Sequence, residues 1–179
     1  MNKRGQIGMV LLFFAGLFLL LLLGVAFVFG SAILNWTMDE VVPEISTLGM
    51  VGEANLSQAA DFTITPVNNV IQNFTWISGV LYVMFLVGLV GIVVGFKIAP
   101  SKWLMGFFFA LMIMLIFAAI LVSNIYEDFY DDTNDEFTPI LKEHVIMSNM
   151  IIYSPAIFTV ISLLLGIVLF SGMQGEEGI

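Results

Sequence analysis

The chain lacks cysteine and has little of any charged side chain. Its 179 residues include no Cys, one His and only five Lys and Arg together. The absence of thiols excludes disulfides, Fe–S clusters, thiolate metal centres and cysteine nucleophiles. One imidazole without thiolates also argues against a transition-metal centre. With 60% hydrophobic residues and a mean hydropathy of +1.05, the composition is typical of a chain surrounded by lipid.

Charge is also missing from four long apolar runs. They are Gly8–Ile33, Ile77–Phe96, Trp103–Val122 and Met150–Phe170. A bilayer core of roughly 30 Å is crossed by about 20 apolar residues in a helix. The runs therefore predict an all-α integral membrane protein with four transmembrane helices in an up-down bundle. Two connectors, 34–76 and 123–149, take up most of the remainder, so residues 1–179 are expected to form one polytopic domain.

The few cations predict the topology. Lys3 and Arg4 precede the first span, and Lys97 and Lys102 lie between the second and third. Because Lys and Arg are held on the cytoplasmic side during insertion, both termini are expected to be cytoplasmic in a multi-pass protein of the cell membrane. The two connectors then face outward. They carry five and seven of the fourteen acidic residues, so the outer surface is expected to be acidic.

Tryptophan and asparagine residues agree with this topology. The three Trp residues stand at predicted span edges, where an indole lies between lipid and water; they are Trp36, Trp76 and Trp103. Three Asn-x-Ser/Thr triplets fall in the first outer connector and are glycosylation candidates. These triplets begin at Asn35, Asn55 and Asn73.

The N-terminal segment carries a short recognisable pattern. Lys3-Arg4-Gly5-Gln6-Ile7 is followed by an uncharged apolar run. This segment resembles the class III signal peptide of archaeal type IV pilin-like proteins, in which a membrane peptidase cuts after the glycine. The resemblance implies an archaeal source and a mature chain that starts at Gln6. It ends with the first span, and a plain signal anchor is the alternative because pilins normally have one span.

Prolines predict where two helices begin and where one bends. Thr65-Pro66 supplies an N-cap hydroxyl before a proline at the first helical position, and that helix is expected to run to about Ile98. Thr138-Pro139 repeats the pattern before the fourth span. Pro155 lies within that span and removes one backbone hydrogen bond, so a kink is predicted near Tyr153–Ser154.

The first outer connector is too apolar for a solvated loop. Its residues Val41, Val42, Ile45, Leu48, Met50 and Val51 are all hydrophobic. Pro43, Gly49 and Gly52 are expected to break any continuous helix in this stretch. We therefore expect a short helix or a re-entrant piece on the outer membrane face, which would bury these side chains.

The second outer connector contains the strongest candidate for a ligand site. Clustered carboxylates are hard oxygen donors, which Ca²⁺ prefers. The candidate metal ligands are Asp131, Asp132, Asn134, Asp135 and Glu136. An EF-hand is not expected, because Phe137 occupies the position of the turn glycine in that loop. A solvated acidic loop without a bound cation is the alternative.

Polar side chains within the spans are few and uncharged. The hydroxyls at bilayer depth include Ser78, Tyr82, Thr159 and Ser162. The absence of ionisable groups there argues against a proton- or ion-coupled transporter. His144 is predicted to lie on a polar face at the membrane edge. Gly88, Gly91 and Gly95 would let another helix approach closely, within the four-helix bundle or alternatively in a dimer.

The sequence predicts no enzyme and no cofactor. It contains no phosphate-binding glycine loop, nucleophile elbow or HExxH pattern. We expect a non-enzymatic structural or accessory subunit of a membrane assembly. Its partners would be the lipid bilayer and other membrane proteins or further copies of the chain, with no nucleic acid. The alternatives are a small channel or holin-like pore formed by oligomerisation, and an external cation sensor. A pore would align the span hydroxyls along one path, whereas an accessory subunit would satisfy them within its helices.

Overall fold

The described residues of the chain form six helices and one very short hairpin. The computed structural model describes residues 3–47, 50–51, 54–95, 101–133 and 137–171. The helices are α1 (Lys3–Thr47), α2 (Leu56–Gly95), α3 (Lys102–Asp131), α4 (Thr138–Glu143), α5 (Val145–Ile152) and α6 (Ser154–Phe170). Between α1 and α2, strand β1 (Met50–Val51) pairs antiparallel with β2 (Ala54–Asn55). The predicted all-helical fold is therefore confirmed apart from this hairpin.

Three helices of the described chain are long and apolar enough to cross a membrane. They are the segments Gly5–Ile45, Thr65–Gly95 and Lys102–Asp131. Helices α5 and α6 add a fourth crossing only if they act as one bent span, because they meet at 68°. In the most apolar 18-residue stretch of each of these three helices, only 33%, 22% and 17% is buried inside the bundle. Their apolar side chains therefore mostly face outward, as lipid-facing side chains do.

Helices α1 and α2 extend far beyond the predicted spans. They contain 45 and 40 residues, which correspond to about 68 Å and 60 Å at 1.5 Å per residue. Each is therefore about twice as long as a bilayer core is thick. The stretch 34–76, expected to be a connector, is mostly helical, and the hairpin of β1 and β2 reverses the chain.

Two prolines lie inside long helices. The sequence predicted a helix break at the first proline and a helix start at the second. Pro43 is inside α1, which continues to Thr47, and Pro66 is inside α2, which begins at Leu56. The predicted break at Pro43, the separate surface piece and the helix start at Thr65-Pro66 are therefore wrong. The helix does end within the predicted stretch, at Thr47, while Gly49 and Gly52 lie outside the described residues. A proline removes one hydrogen bond of a helix. Both helices nevertheless continue past their prolines, and α1 and α2 pack against one another.

The second Thr-Pro pair does begin a helix, but its threonine side chain bonds to the end of the preceding helix, α3, instead of capping α4. Helix α4 starts at Thr138 with Pro139 in its first turn, and Phe137 is its N-cap residue. The Thr138 hydroxyl instead points at the backbone carbonyls of Phe129 and Asp132. These carbonyls lie at the C-terminal end of α3, where the last carbonyl groups of a helix have no backbone N–H partner within the helix. Thr138 thus fastens α4 to the end of α3.

The predicted kink in the fourth apolar run is confirmed as a break between two helices. Helix α5 ends at Ile152, Tyr153 is not helical, and Pro155 lies in the first turn of α6. A proline cannot donate to the preceding turn and displaces it sterically. The break therefore occurs immediately before Pro155.

Close packing of α2 against α5 depends on Gly79, a glycine outside the predicted set of Gly88, Gly91 and Gly95. A Cβ at Gly79 on α2 would lie 2.5 Å from Ile146 Cβ on α5. No side chain larger than hydrogen fits this crossing without a shift. By contrast, a Cβ at Gly88, Gly91 or Gly95 would meet nothing within 4 Å. Those three glycines take no part in packing within the described chain, and their contact with another chain stays a prediction.

Candidate functional site

Five buried polar side chains lie along α5 and at its junction with α4. We call them the polar layer: Ser31, Ser123, Tyr126, His144 and Ser148. Each is at most 7% exposed, and they come from α1, α3, the α4–α5 junction and α5. A buried polar group in apolar surroundings is costly unless it is hydrogen-bonded. The hydrogen bonds of the layer therefore show what it does.

His144 ties the α4–α5 junction to α1. Its Nε2 lies 2.6 Å from Ser31 Oγ, and Ser31 Oγ donates to the Val28 carbonyl at 3.0 Å. Because the hydroxyl proton is directed at Val28, the Nε2–H of the imidazole is the donor to Ser31. Nδ1 has no hydrogen bond of standard geometry among the described residues. The interpretation of His144 as part of a polar face at the membrane edge is wrong, since its side chain is fully buried.

Burial also sets the charge of this imidazole. Desolvation lowers the pKa of His144, and the nearby backbone of Thr75 acts in the opposite direction. The net shift is downward from the ordinary value. At neutral pH the ring is therefore uncharged.

A second set of hydrogen bonds fixes α5 against α3. Tyr126 Oη lies 2.7 Å from Ser148 Oγ, which donates to the Leu141 carbonyl at 2.8 Å. The Ser148 proton is thereby used, so Tyr126 is the donor to Ser148. Ser123 Oγ donates to the Ile152 carbonyl. Leu141 and Ile152 lie in the last turns of α4 and α5, so the layer satisfies carbonyls at both helix ends.

The Ser31–His144 contact has the geometry of a nucleophile and its general base, but its surroundings do not suit acyl transfer. Ser31 lies within the continuous helix α1, whose interior backbone N–H groups are used along the helix. They cannot form an oxyanion hole, which needs donors aimed at the reacting oxygen. Both side chains are also shielded from solvent. The arrangement is that of a structural contact.

The predicted cation ligands lie at and beyond the end of α3. Asp131 is the last residue of α3 and Asp132 is its C-cap, and both side chains are exposed. Asn134, Asp135 and Glu136 lie outside the described residues. Within the ranges that are described, no group of three or more His or acidic side chains is arranged for a metal ion. The cation site stays a prediction.

The glycosylation candidates differ in exposure. Asn35 is only 6% exposed in α1, and its Oδ1 is buried without a hydrogen-bond partner in the described chain. Asn73 is exposed on α2 and donates to the Asn69 carbonyl at 2.8 Å. Asn55 belongs to β2, and its side chain is outside the described part. Glycosylation stays a prediction, and exposure suits Asn73 better than Asn35.

The four span hydroxyls lie on two helices, α2 and α6. Ser78 and Thr159 donate to carbonyls of their own helices, at 3.2 Å and 2.6 Å. Tyr82 and Ser162 have buried hydroxyls without a partner among the described residues. Ser78 and Tyr82 border an apolar cleft of about 210 Å³ between α1 and α2. Thr159 and Ser162 are separate from them, on α6.

Comparisons with protein-family models, curated protein sequences and solved structures find no match. The resemblance of the N-terminal segment to archaeal pilin-like signal peptides therefore stays a prediction. In the structure, Gly5 and Gln6 belong to the first turns of α1. Gln6 is buried and borders a small cleft with Ser101 and Leu104 at the start of α3.

Proposed function

We propose that the chain is a four-span membrane protein in which α5 and α6 form a broken fourth span. In this proposal both termini are cytoplasmic, because basic residues flank the first span and precede the third. The tip of the α1–α2 hairpin and the polar layer then belong to the outer side. The protein serves as a non-enzymatic structural or accessory subunit of a membrane assembly.

The observation that carries this proposal is the projecting α1–α2 hairpin. About half the length of each helix exceeds a bilayer core of roughly 30 Å. The projecting part of α2 exposes large apolar side chains: Phe62, Val67 and Val70 are 76%, 46% and 55% exposed. Apolar groups of this size outside the bilayer favour burial against another protein. The hairpin is therefore the surface by which we expect the subunit to join its assembly.

The polar groups inside the bundle support the same proposal. In the polar layer the side chains bond to helix ends and to one another, which fixes the helices. A pore would need hydroxyls that remain available to water or ions along a continuous route. The unpartnered hydroxyls of Tyr82 and Ser162 favour a pore, but they lie on different helices, and Ser162 does not line the cleft that Tyr82 borders.

Purification from native membranes in mild detergent, followed by native mass spectrometry, tests the proposal. The wild-type chain is expected in a complex of fixed stoichiometry with other polypeptides. A Phe62→Glu/Val70→Glu variant is expected to stay in the membrane but to leave that complex. Vesicles that hold only the purified chain are expected to retain a trapped dye. Recovery of the wild-type chain as a free monomer, or release of the dye, would contradict the proposal.

A further inference from the structure

Helix α5 is a short segment between two breaks in the chain. It has eight residues, it follows the junction at His144, and it meets α6 at 68° beyond Tyr153. Neither α5 nor α6 has a side-chain cap at its N-terminus. Hydrogen bonds of the polar layer hold α5 on α1 and α3. A segment with a break at each end can turn as a unit when the bonds at one end are lost.

The junction end of α5 holds an imidazole in a fully buried site. His144 is fully buried, and its side-chain partner in the described structure is the uncharged Ser31 hydroxyl. The elements packed around it carry the following titratable groups with described side chains: Asp39, Glu40 and Glu44 on α1, Tyr82 on α2, Lys102, Tyr126, Glu127, Asp128, Tyr130 and Asp131 on α3, and Lys142 and Glu143 on α4. None of them forms an ion pair or a hydrogen bond with the imidazole. A proton on His144 would therefore create a buried charge without a counter-ion.

We propose that α5 is an acid-sensitive segment: protonation of His144 places a charge without a counter-ion in the buried α4–α5 junction, and the junction then leaves α1 for water. Release also opens the tight crossing of Ile146 over Gly79. The inference does not need the accessory role. It uses the proposed topology only to identify the sensed side as the external one.

The direction of the pH response follows from the burial of the imidazole. In the closed form the pKa of His144 is lowered by desolvation, whereas in a released, hydrated junction it returns to about 6.5. The released form therefore binds more protons between these two values. Acid favours release as the pH falls below about 6.5, and the effect levels off below the lowered pKa of the closed form.

Titration of the single histidine is the first test, on the full chain in lipid nanodiscs. Because the sequence has one His, selective ¹⁵N-histidine labelling reports on His144 alone. At neutral pH the spectrum is expected to show a neutral ring that carries its proton on Nε2. The midpoint of titration is expected below the ordinary value of about 6.5. A midpoint at or above that value would overturn the proposal.

Spin labels measure the movement itself. The chain has no Cys, so Thr37→Cys on α1 and Asn149→Cys on α5 carry labels at two exposed positions. Between about pH 7.5 and pH 5 their distance is expected to increase by about one helical turn, roughly 5 Å. The pair Thr37→Cys and Ile125→Cys reports α3 against α1 and is expected to stay constant. An unchanged α1–α5 distance would overturn the proposal.

Two variants show whether the pH response comes from His144 or from the acidic side chains. The amide of His144→Gln can still donate to Ser31 but does not titrate, so this variant is expected to keep the neutral-pH distance at acid pH. Asp39→Asn is expected to move as the wild type does. If the Gln variant does not fold, Ser31→Ala serves instead, since loss of the acceptor is expected to shift the opening midpoint to higher pH. Acid-induced movement of His144→Gln equal to that of the wild type would assign the change to carboxylates and overturn the proposal.

Discussion

At the scale of single residues, glycines of one helix have opposite environments. Gly79 lies under Ile146 at the crossing of α2 and α5, whereas Gly88 faces open space on the same helix. The sequence analysis selected Gly88, Gly91 and Gly95 from their spacing alone. Spacing shows which glycines share a face of a helix, but the packing of the neighbouring helices decides which face is covered.

Substitution of these two glycines should therefore have opposite effects. Gly79→Ala places a methyl group 2.5 Å from Ile146 Cβ, and overpacking of this kind costs about 1–3 kcal/mol. Gly88→Ala is the matched control, and it is expected to be neutral or to stabilise by up to about 1 kcal/mol, because alanine favours the helix. Thermal unfolding in detergent measures both. Equal stability of the two variants would contradict the Gly79 contact.

The Tyr126 hydroxyl gives a second prediction at this scale. Tyr126→Phe removes the donor to Ser148 while Ser148 keeps its bond to the Leu141 carbonyl, so a loss of about 1 kcal/mol is expected. Tyr153→Phe is the control, since that side chain is 60% exposed and should unfold at the wild-type temperature. A Tyr126→Phe variant as stable as the control would argue against the bond.

The polar layer itself could be predicted only in part. His144 and Ser148 are four residues apart and share a helical face with the buried residues Leu141 and Ile151, so the spacing contained a signal that they point inward. Ser31 and Tyr126 gave no such signal. Which hydroxyl meets the imidazole depends on the geometry of the α4–α5 junction, and the sequence does not specify that geometry.

At the scale of elements, apolar runs predicted where helices lie better than where they end. The run Trp103–Val122 lies within α3, which extends it to Asp131. The end of α1 and the start of α2 were missed because hydropathy registers only the part suited to lipid, whereas the predicted end near Ile98 lies just beyond the described part of α2, which reaches Gly95. Both helices continue past their prolines, Pro43 and Pro66, and pack against one another.

The break between α5 and α6 gives a prediction about proline. Pro155→Ala restores an N–H that can bond to the Ile151 carbonyl, so the 68° bend is expected to decrease. Labels at Asn149→Cys and Leu164→Cys should then move apart toward about 22 Å, the spacing along a straight helix. Pro139→Ala is the control, because that proline belongs to the first turn of α4. An unchanged label distance would show that the polar layer alone maintains the bend.

At the scale of the whole molecule, α3 offers a direct test of the proposed topology. Ser101 and Thr133 are exposed and flank opposite ends of this 30-residue helix. If α3 crosses the membrane, an impermeant thiol reagent should reach only one of the variants Ser101→Cys and Thr133→Cys in intact cells. We expect Thr133→Cys to react from outside and Ser101→Cys only after lysis. Labelling of both from outside would contradict the topology.

The bend between α5 and α6 also determines how the chain would fill the two leaflets of a bilayer. Helix α6 has 17 residues, or about 26 Å, which is short of a core of roughly 30 Å. Helix α5 turns away from it by 68°. In the proposed orientation the angled α5 therefore has to cover the part of the core that α6 leaves open. Thin bilayers match this short helix, because the lipids beside α6 then need not compress to cover its ends.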